Sequence, residues 1–165
     1  MSQTGSAHYT LCQIGAEYLK KKKRTKYTTV EIVTSGECAD VWGITGVYSY
    51  LIEVKTDYRD FLKDKNKFQR TEDGAYYALG NYRYYLCPKG LIKPEELPKG
   101  WGLLYFDFVK YVKKPNRQKY IEEIVKPEEI KTTTYLSEVL VLQSIMRREG
   151  IKNQIFNYRK NEKPI

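Results

Sequence analysis

The chain has 165 residues, 29 of them Lys or Arg against 20 Asp or Glu, for a net charge of +9. That length suits one domain able to bury a core without disulfides or a structural metal, and the 41% hydrophobic content with interspersed charge argues against disorder. No apolar run approaches the roughly 18 residues a bilayer span needs, the start lacks a basic-then-apolar leader, and Cys12, Cys38 and Cys87 are too widely spaced for a C-x-x-C pair, so a cytoplasmic protein with reduced thiols is expected.

From Ala7 to Lys23 the residues Leu11, Ile14, Gly15 and Tyr18 recur at helical spacing, and the helix ends in the basic run Lys20–Arg24. Tyr27–Thr34 is β-branched and alternating, and Ser35-Gly36 marks a turn. Strands follow at Glu37–Ile44 and about Val47–Thr56, parted by Thr45-Gly46, which predicts an antiparallel meander. Tyr58–Asn66 reads as a charged helix continuing weakly to Arg70, and Thr71–Gly74 as a turn. Asn81–Cys87 is a strand halted by Pro88, Lys93–Pro98 a helical turn between prolines, and Trp101–Phe108 a buried strand. Lys113–Asn116 opens a polar loop, and Tyr120–Glu129 fits either strand or helix. Tyr135–Glu149 is a helix with Leu136, Val139, Leu140, Gln143 and Met146 on one face and Gly150 as its C-cap; the last fifteen residues are polar. The order is that of an α/β sandwich around a mixed sheet.

The positive balance favours a phosphate-bearing partner, nucleic acid above others. The sixteen tyrosines can either pack on sheet faces or stack against bases. The only histidine, His8, lies near an end expected to fray, which argues against Ser–His–Asp or Cys–His catalysis and against a His-based zinc site. Chemistry then falls to carboxylates and lysines. Strand alternation puts Leu51, Glu53 and Lys55 on one face and Ile52 and Val54 on the other. A hairpin centred near residues 46 and 47 sets Asp40 opposite Glu53. Two hard oxygen ligands suit Mg²⁺, and a neighbouring ammonium can orient water or stabilise developing negative charge. The competing reading of Glu53-Val54-Lys55 is an ion pair on a solvated sheet face.

Asp40, twelve residues, then Glu53-Val54-Lys55 resembles the signature of the PD-(D/E)XK, restriction-endonuclease-like nucleases. A longer collinear series resembles the MmcB-like group of that superfamily, linked to DNA repair. It comprises Glu31, Gly36, Cys38-Ala-Asp-Val41, Glu53-Val-Lys55, Asp60-Phe61, Pro88, Gly90-Leu-Ile92, Glu96-Leu-Pro98 and Gly100-Trp-Gly-Leu103. The resemblance covers about residues 10 to 108; Cys38 stands where that group favours arginine, and Asn81-Tyr82-Arg83 replaces its C-D-R. It implies a restriction-endonuclease-like αβββαβ core over 7–108, with a mixed central sheet flanked by helices; residues 109–165 lie outside it and are read as a C-terminal extension whose helix at about 135–149 packs on the core, or as a partner-binding element.

It also implies a Mg²⁺-dependent nuclease, with Mn²⁺ able to substitute, that hydrolyses nucleic acid, DNA above RNA, in repair, recombination or mobile-element processing. Asp40, Glu53 and the Val54 carbonyl would bind metal, Lys55 would act on water, and Glu31 or Glu17 could complete the metal site. Lys63, Lys65, Lys67 and Arg70 around the second helix, with Lys21 and Lys22, are candidate phosphate contacts. Asp57 and Asp60 read as caps and Trp42 as core. A homodimer would suit cleavage of both strands of a duplex, and no membrane partner is expected. The alternatives are a nucleic-acid-binding module of the same fold that does not cut, and a protein-interaction subunit using the 136–146 helix face.

Overall fold

In the computed structural model the described residues are 3–33, 38–69, 79–114, 119–130 and 135–151. Helix α1 spans Gln3–Tyr18 and continues as a π-helical turn, Leu19–Lys23, closed by Arg24 in the left-handed conformation. It starts four residues earlier than the sequence pattern predicts. Strands β1 (Tyr27–Val33), β2 (Cys38–Ile44) and β3 (Ser49–Val54) form the expected antiparallel meander. Thr45 organises the β2–β3 turn, its hydroxyl accepting from the N–H groups of Val47 and Tyr48. The Ser35-Gly36 and Thr71–Gly74 turns fall outside the described residues.

Helix α2 (Tyr58–Gln69) begins at Asp57, whose carboxylate accepts from the N–H of Arg59, so the expected cap is present. β4 (Tyr82–Pro88) and β5 (Gly102–Phe106) add in parallel beyond β3. Helix α3 (Phe108–Lys113) was missed by the sequence reading; its signal is Asp107, which caps the N–H of Lys110 at 3.0 Å. The ambiguous 120–129 stretch supplies β6 (Ile121–Val125), antiparallel to β5, because an open β5 edge needs a partner for its backbone groups. The result is an α/β fold with one six-stranded mixed sheet in the order β1-β2-β3-β4-β5-β6, flanked by helices.

Both sheet faces are covered, so the central strands are apolar almost throughout. On one face Ile52, Val54, Tyr84 and Leu86 pack with Leu11, Ile14, Tyr18 and Leu19. On the other, Leu51, Tyr85, Cys87 and Leu103 pack with Trp42, Phe61, Trp101 and Val141. Helix α1 lies close on the sheet because residue 15 has no side chain: a Cβ there would sit 3.3 Å from both Leu86 and Val41 methyls.

The last helix, α4 (Tyr135–Arg148), is where expected and ends in Gly150 at positive φ, but it is rotated from the predicted face. Leu136, Val139 and Met146 are exposed, while Ser137, Glu138, Val141 and Ser144 are buried. The cause is Glu138, which accepts from Trp42 Nε1 at 2.6 Å, Ser49 Oγ at 2.7 Å and the Gly80 N–H at 2.9 Å. These buried donors outweigh the preference of the apolar stripe for the core, since the Trp42 and Gly80 N–H groups would otherwise lose their water without replacement. Among the described residues no helix is long and apolar enough to cross a membrane.

Candidate active site

The β2–β3 ladder stops at Val41↔Ile52, and the next residues in register are Asp40 and Glu53. There the strands part, and the Asp40 side chain fills the fork. Its Oδ2 accepts from the Val54 N–H at 2.8 Å, in place of a backbone carbonyl. Because the N–H and C=O of one strand residue point to the same side, the Val54 carbonyl also faces this fork. Glu31 lies across β1 from Asp40 with φ 50, left-handed for a residue with a side chain. The strand pair turns a corner at Glu31 and Asp40. Val30 and Val41 belong to the core under α1, whereas Ile32 and Ala39 belong to the opposite one.

Glu53 and Lys55 are buried, 7% and 9% exposed, so a solvated ion pair does not describe them. The Lys55 ammonium lies 3.9 Å from Glu53 Oε2 and is bridged closely by the carboxylate of Asp64. Asp64 was missed by the sequence reading. It sits one helical turn after Phe61, which anchors α2 in the second core, and that i, i+3 relation is the signal that could have found it. These groups lie at the carboxyl end of β3, where β4 runs parallel and Pro88 ends it; ligands of open α/β sheets bind at this end.

His8 corrects an expectation. Because α1 begins at Gln3, His8 is inside the helix rather than at a frayed end. Its Nε2 lies 3.4 Å from Asp40 Oδ1 and its Nδ1 3.8 Å from Glu31 Oε1. Glu31 is therefore brought to the Asp40 cluster. Glu17 is not: it pairs with Lys21 at 3.8 Å, some 13 Å of helix rise beyond His8.

The basic residues divide. Lys63 is exposed and pairs with Asp60 at 3.6 Å. Lys65 and Lys67 lie in α2, but their side chains, like Arg70 as a whole, fall outside the described residues. Lys21 and Lys22 are exposed at the far end of α1, roughly 20 Å of helix rise from His8. Lys23 in the same run turns inward, 3.0 Å from Glu123, which also accepts from the Tyr84 hydroxyl. Burial pushes the Glu123 carboxyl up, but these donors outweigh it and hold the group below its ordinary value.

Sequence reasoning also missed a basic groove of about 500 Å³ lined by Lys110, Lys113, Lys114, Lys119 and Tyr120. A smaller adjoining cavity adds Lys89. Lys89 directly follows β4 and Lys110 lies in α3, the helix after β5, so this groove opens at the same sheet end as Glu53 and Lys55. Lys110 and Lys113 share one face of α3 and Lys114 follows at its C-cap, a pattern legible only once α3 is known.

No family model and no curated protein matches the chain. Among solved structures it is similar to a protein of unknown function from Silicibacter pomeroyi, with a TM-score of 0.58 at 20% identity. The match covers 85% of this chain and 84% of the other, and it shows a shared fold.

Proposed function

We propose that the chain is a Mg²⁺-dependent nuclease of the PD-(D/E)XK type that hydrolyses phosphodiester bonds of DNA, in repair, recombination or mobile-element processing. The observation that carries this reading is the fork. Asp40 is lodged on the Val54 N–H, in register with Glu53, and Lys55 is held 3.9 Å from Glu53. The oxygens this reading calls on, the carboxylates of Asp40 and Glu53 and the Val54 carbonyl, are hard donors of the kind that suit Mg²⁺ or Mn²⁺. When bound, the cation would withdraw charge from the phosphate and make a water more acidic.

The chain's own groups supply the rest. The Val54 N–H fixes one oxygen of Asp40, leaving the other to face the site. Lys55 presents its ammonium to the attacking water and to the negative charge that builds on the phosphoryl oxygens as the water oxygen bonds to phosphorus and the bond to the leaving oxygen breaks. Asp64 holds that ammonium in place. Lysines of the adjoining groove would guide the phosphate backbone towards the fork.

One observation favours a second reading, a module that binds without cutting: the Lys55 ammonium is engaged by two carboxylates at once, a stable ion-pair arrangement in its own right. Both readings are tested by incubating wild type and Lys55→Ala with labelled duplex, single-stranded and branched DNA in Mg²⁺, Mn²⁺ or EDTA. Metal-dependent products lost in the variant support the nuclease. Salt-sensitive DNA retention with no product from either protein supports the binding module.

A further inference from the structure

We infer that His8, Cys12 and Asp40, with Glu31 closing the fourth side, form a transition-metal site of the Zn²⁺ class that shares Asp40 with the oxygen site at the fork. His8 and Cys12 are one turn apart on the same face of α1, and Cys12 Sγ lies 3.6 Å from His8 Nδ1. His8 Nε2 lies 3.4 Å from Asp40 Oδ1, and one ligand atom from each of the three residues falls within 4.8 Å of the others. Tetrahedral bonds of about 2.0–2.3 Å place ligand atoms roughly 3.3–3.6 Å apart, so small rotamer changes close the site. Rotation of the imidazole selects the ligating nitrogen, and Glu31, half-exposed and 3.8 Å from Nδ1, can swing in.

The donor types decide the metal. Thiolate and imidazole select Zn²⁺ or Co²⁺ over Mg²⁺. Cys12 is fully buried at the bottom of the cluster, while His8 and Glu31 are open to solvent and give a route in. A divalent cation bound here would take the sulfur as thiolate while the thiol proton leaves to solvent. Asp40 is already oriented for this, because Oδ2 is fixed on Val54 and Oδ1 is the oxygen facing His8.

The binding claim stands on this geometry alone; only its consequence for cleavage rests on the proposed nuclease function. The test is a Co²⁺ titration of the full chain read by absorption, followed by displacement with Zn²⁺ and by proton release into a weakly buffered indicator. Wild type is expected to bind one Co²⁺ with a thiolate charge-transfer band and to release about one proton per metal. Cys12→Ser should lose the band, and His8→Ala should weaken binding about 10- to 100-fold or more. Urea midpoints of each variant establish that the fold persists, and Cys12→Ala provides a second small replacement should Cys12→Ser prove unstable.

Absence of the band in wild type, or its persistence in both folded Cys12 variants through Cys38 or Cys87, would overturn the site. A second readout separates the two proposals: Zn²⁺ should inhibit Mg²⁺-supported cleavage in wild type and much less in Cys12→Ala. If wild type cleaves nothing yet shows the cobalt band, the metal site holds and the nuclease reading fails.

Discussion

Asp40 is expected to carry two separable roles, and a pair of substitutions tells them apart. Because the ladder ends at Val41↔Ile52, the Val54 N–H relies on Asp40 Oδ2 at 2.8 Å. A hydrogen bond to a charged acceptor contributes about 1.5–3 kcal/mol. The Asp40 side chain is 16% exposed, so water recovers part of the loss and Asp40→Ala should cost about 1.5 kcal/mol. With a urea dependence of about 2 kcal/mol per molar, the midpoint should fall by about 0.7 M, followed by tryptophan fluorescence. Asp40→Asn keeps an amide oxygen for Val54 and should stay within about 0.5 kcal/mol of wild type. Both variants remove the charge that would hold Mg²⁺, and both should lose DNA cleavage by about 100-fold or more. Stability lost equally in the two, or wild-type cleavage by Asp40→Asn, would refute the assignment of one oxygen to the backbone and the charge to the metal.

Glu138→Ala strands the buried Trp42 and Gly80 donors, while Ser49 can still turn to Asn81 Oδ1; a loss of about 3 kcal/mol in urea unfolding is expected, and a loss under 1 kcal/mol would count against the hub. Replacing Lys110, Lys113 and Lys114 together by Ala should weaken duplex DNA binding and flatten the log–log salt slope by about 0.9 for each phosphate contact removed; an unchanged slope would move the interface elsewhere. Because the carboxyl of Glu123 is held below its ordinary value when folded, its contribution is complete above the unfolded value and lost as pH falls through the folded one. The stability gap between wild type and Glu123→Gln, measured by denaturant titration, should therefore be constant near neutrality and narrow in acid; a gap that widens in acid would reverse the sign. A thiol reagent at neutral pH should modify Cys38 alone, since Cys12 is buried and burial pushes the Cys87 thiol up to about 12; rapid reaction at all three would contradict the two buried positions.

The local part of the site was legible. Period-two alternation and the symmetry of a hairpin set Asp40 level with Glu53 and aligned Lys55 with it, and neither depends on the rest of the chain. His8 and Asp64 were not legible because helices deliver them. Whether α1 sits close enough for His8 to reach Asp40 is decided by the packing of Gly15 on Val41 and Leu86. The face of α4 was misjudged for a related reason. Leu136, Val139 and Met146 make the stronger periodic pattern, yet the donors that fix Glu138 come from β2, the start of β3 and Gly80. Strand β6 was ambiguous because Glu122 and Glu123 obscure the alternation, and edge pairing settled what side-chain pattern could not.

The closeness in sequence of the groups at the fork bears on how the molecule folds. Asp40 and Val54 are 14 residues apart, Lys55 and Asp64 fewer still, and all lie within the β1–β3 meander and the helix after it. Joining β3 to β4 requires a far longer loop to close, because Tyr50 must find Tyr82. Local contacts form fastest, so the fork can assemble while the parallel half of the sheet is still searching for its partners. The Asp40–Val54 bond would then belong to the folding nucleus, and its loss would slow folding more than it hastens unfolding. The carboxylate proposed to bind metal in the finished protein would also have helped set the strand register from which the rest of the sheet grows.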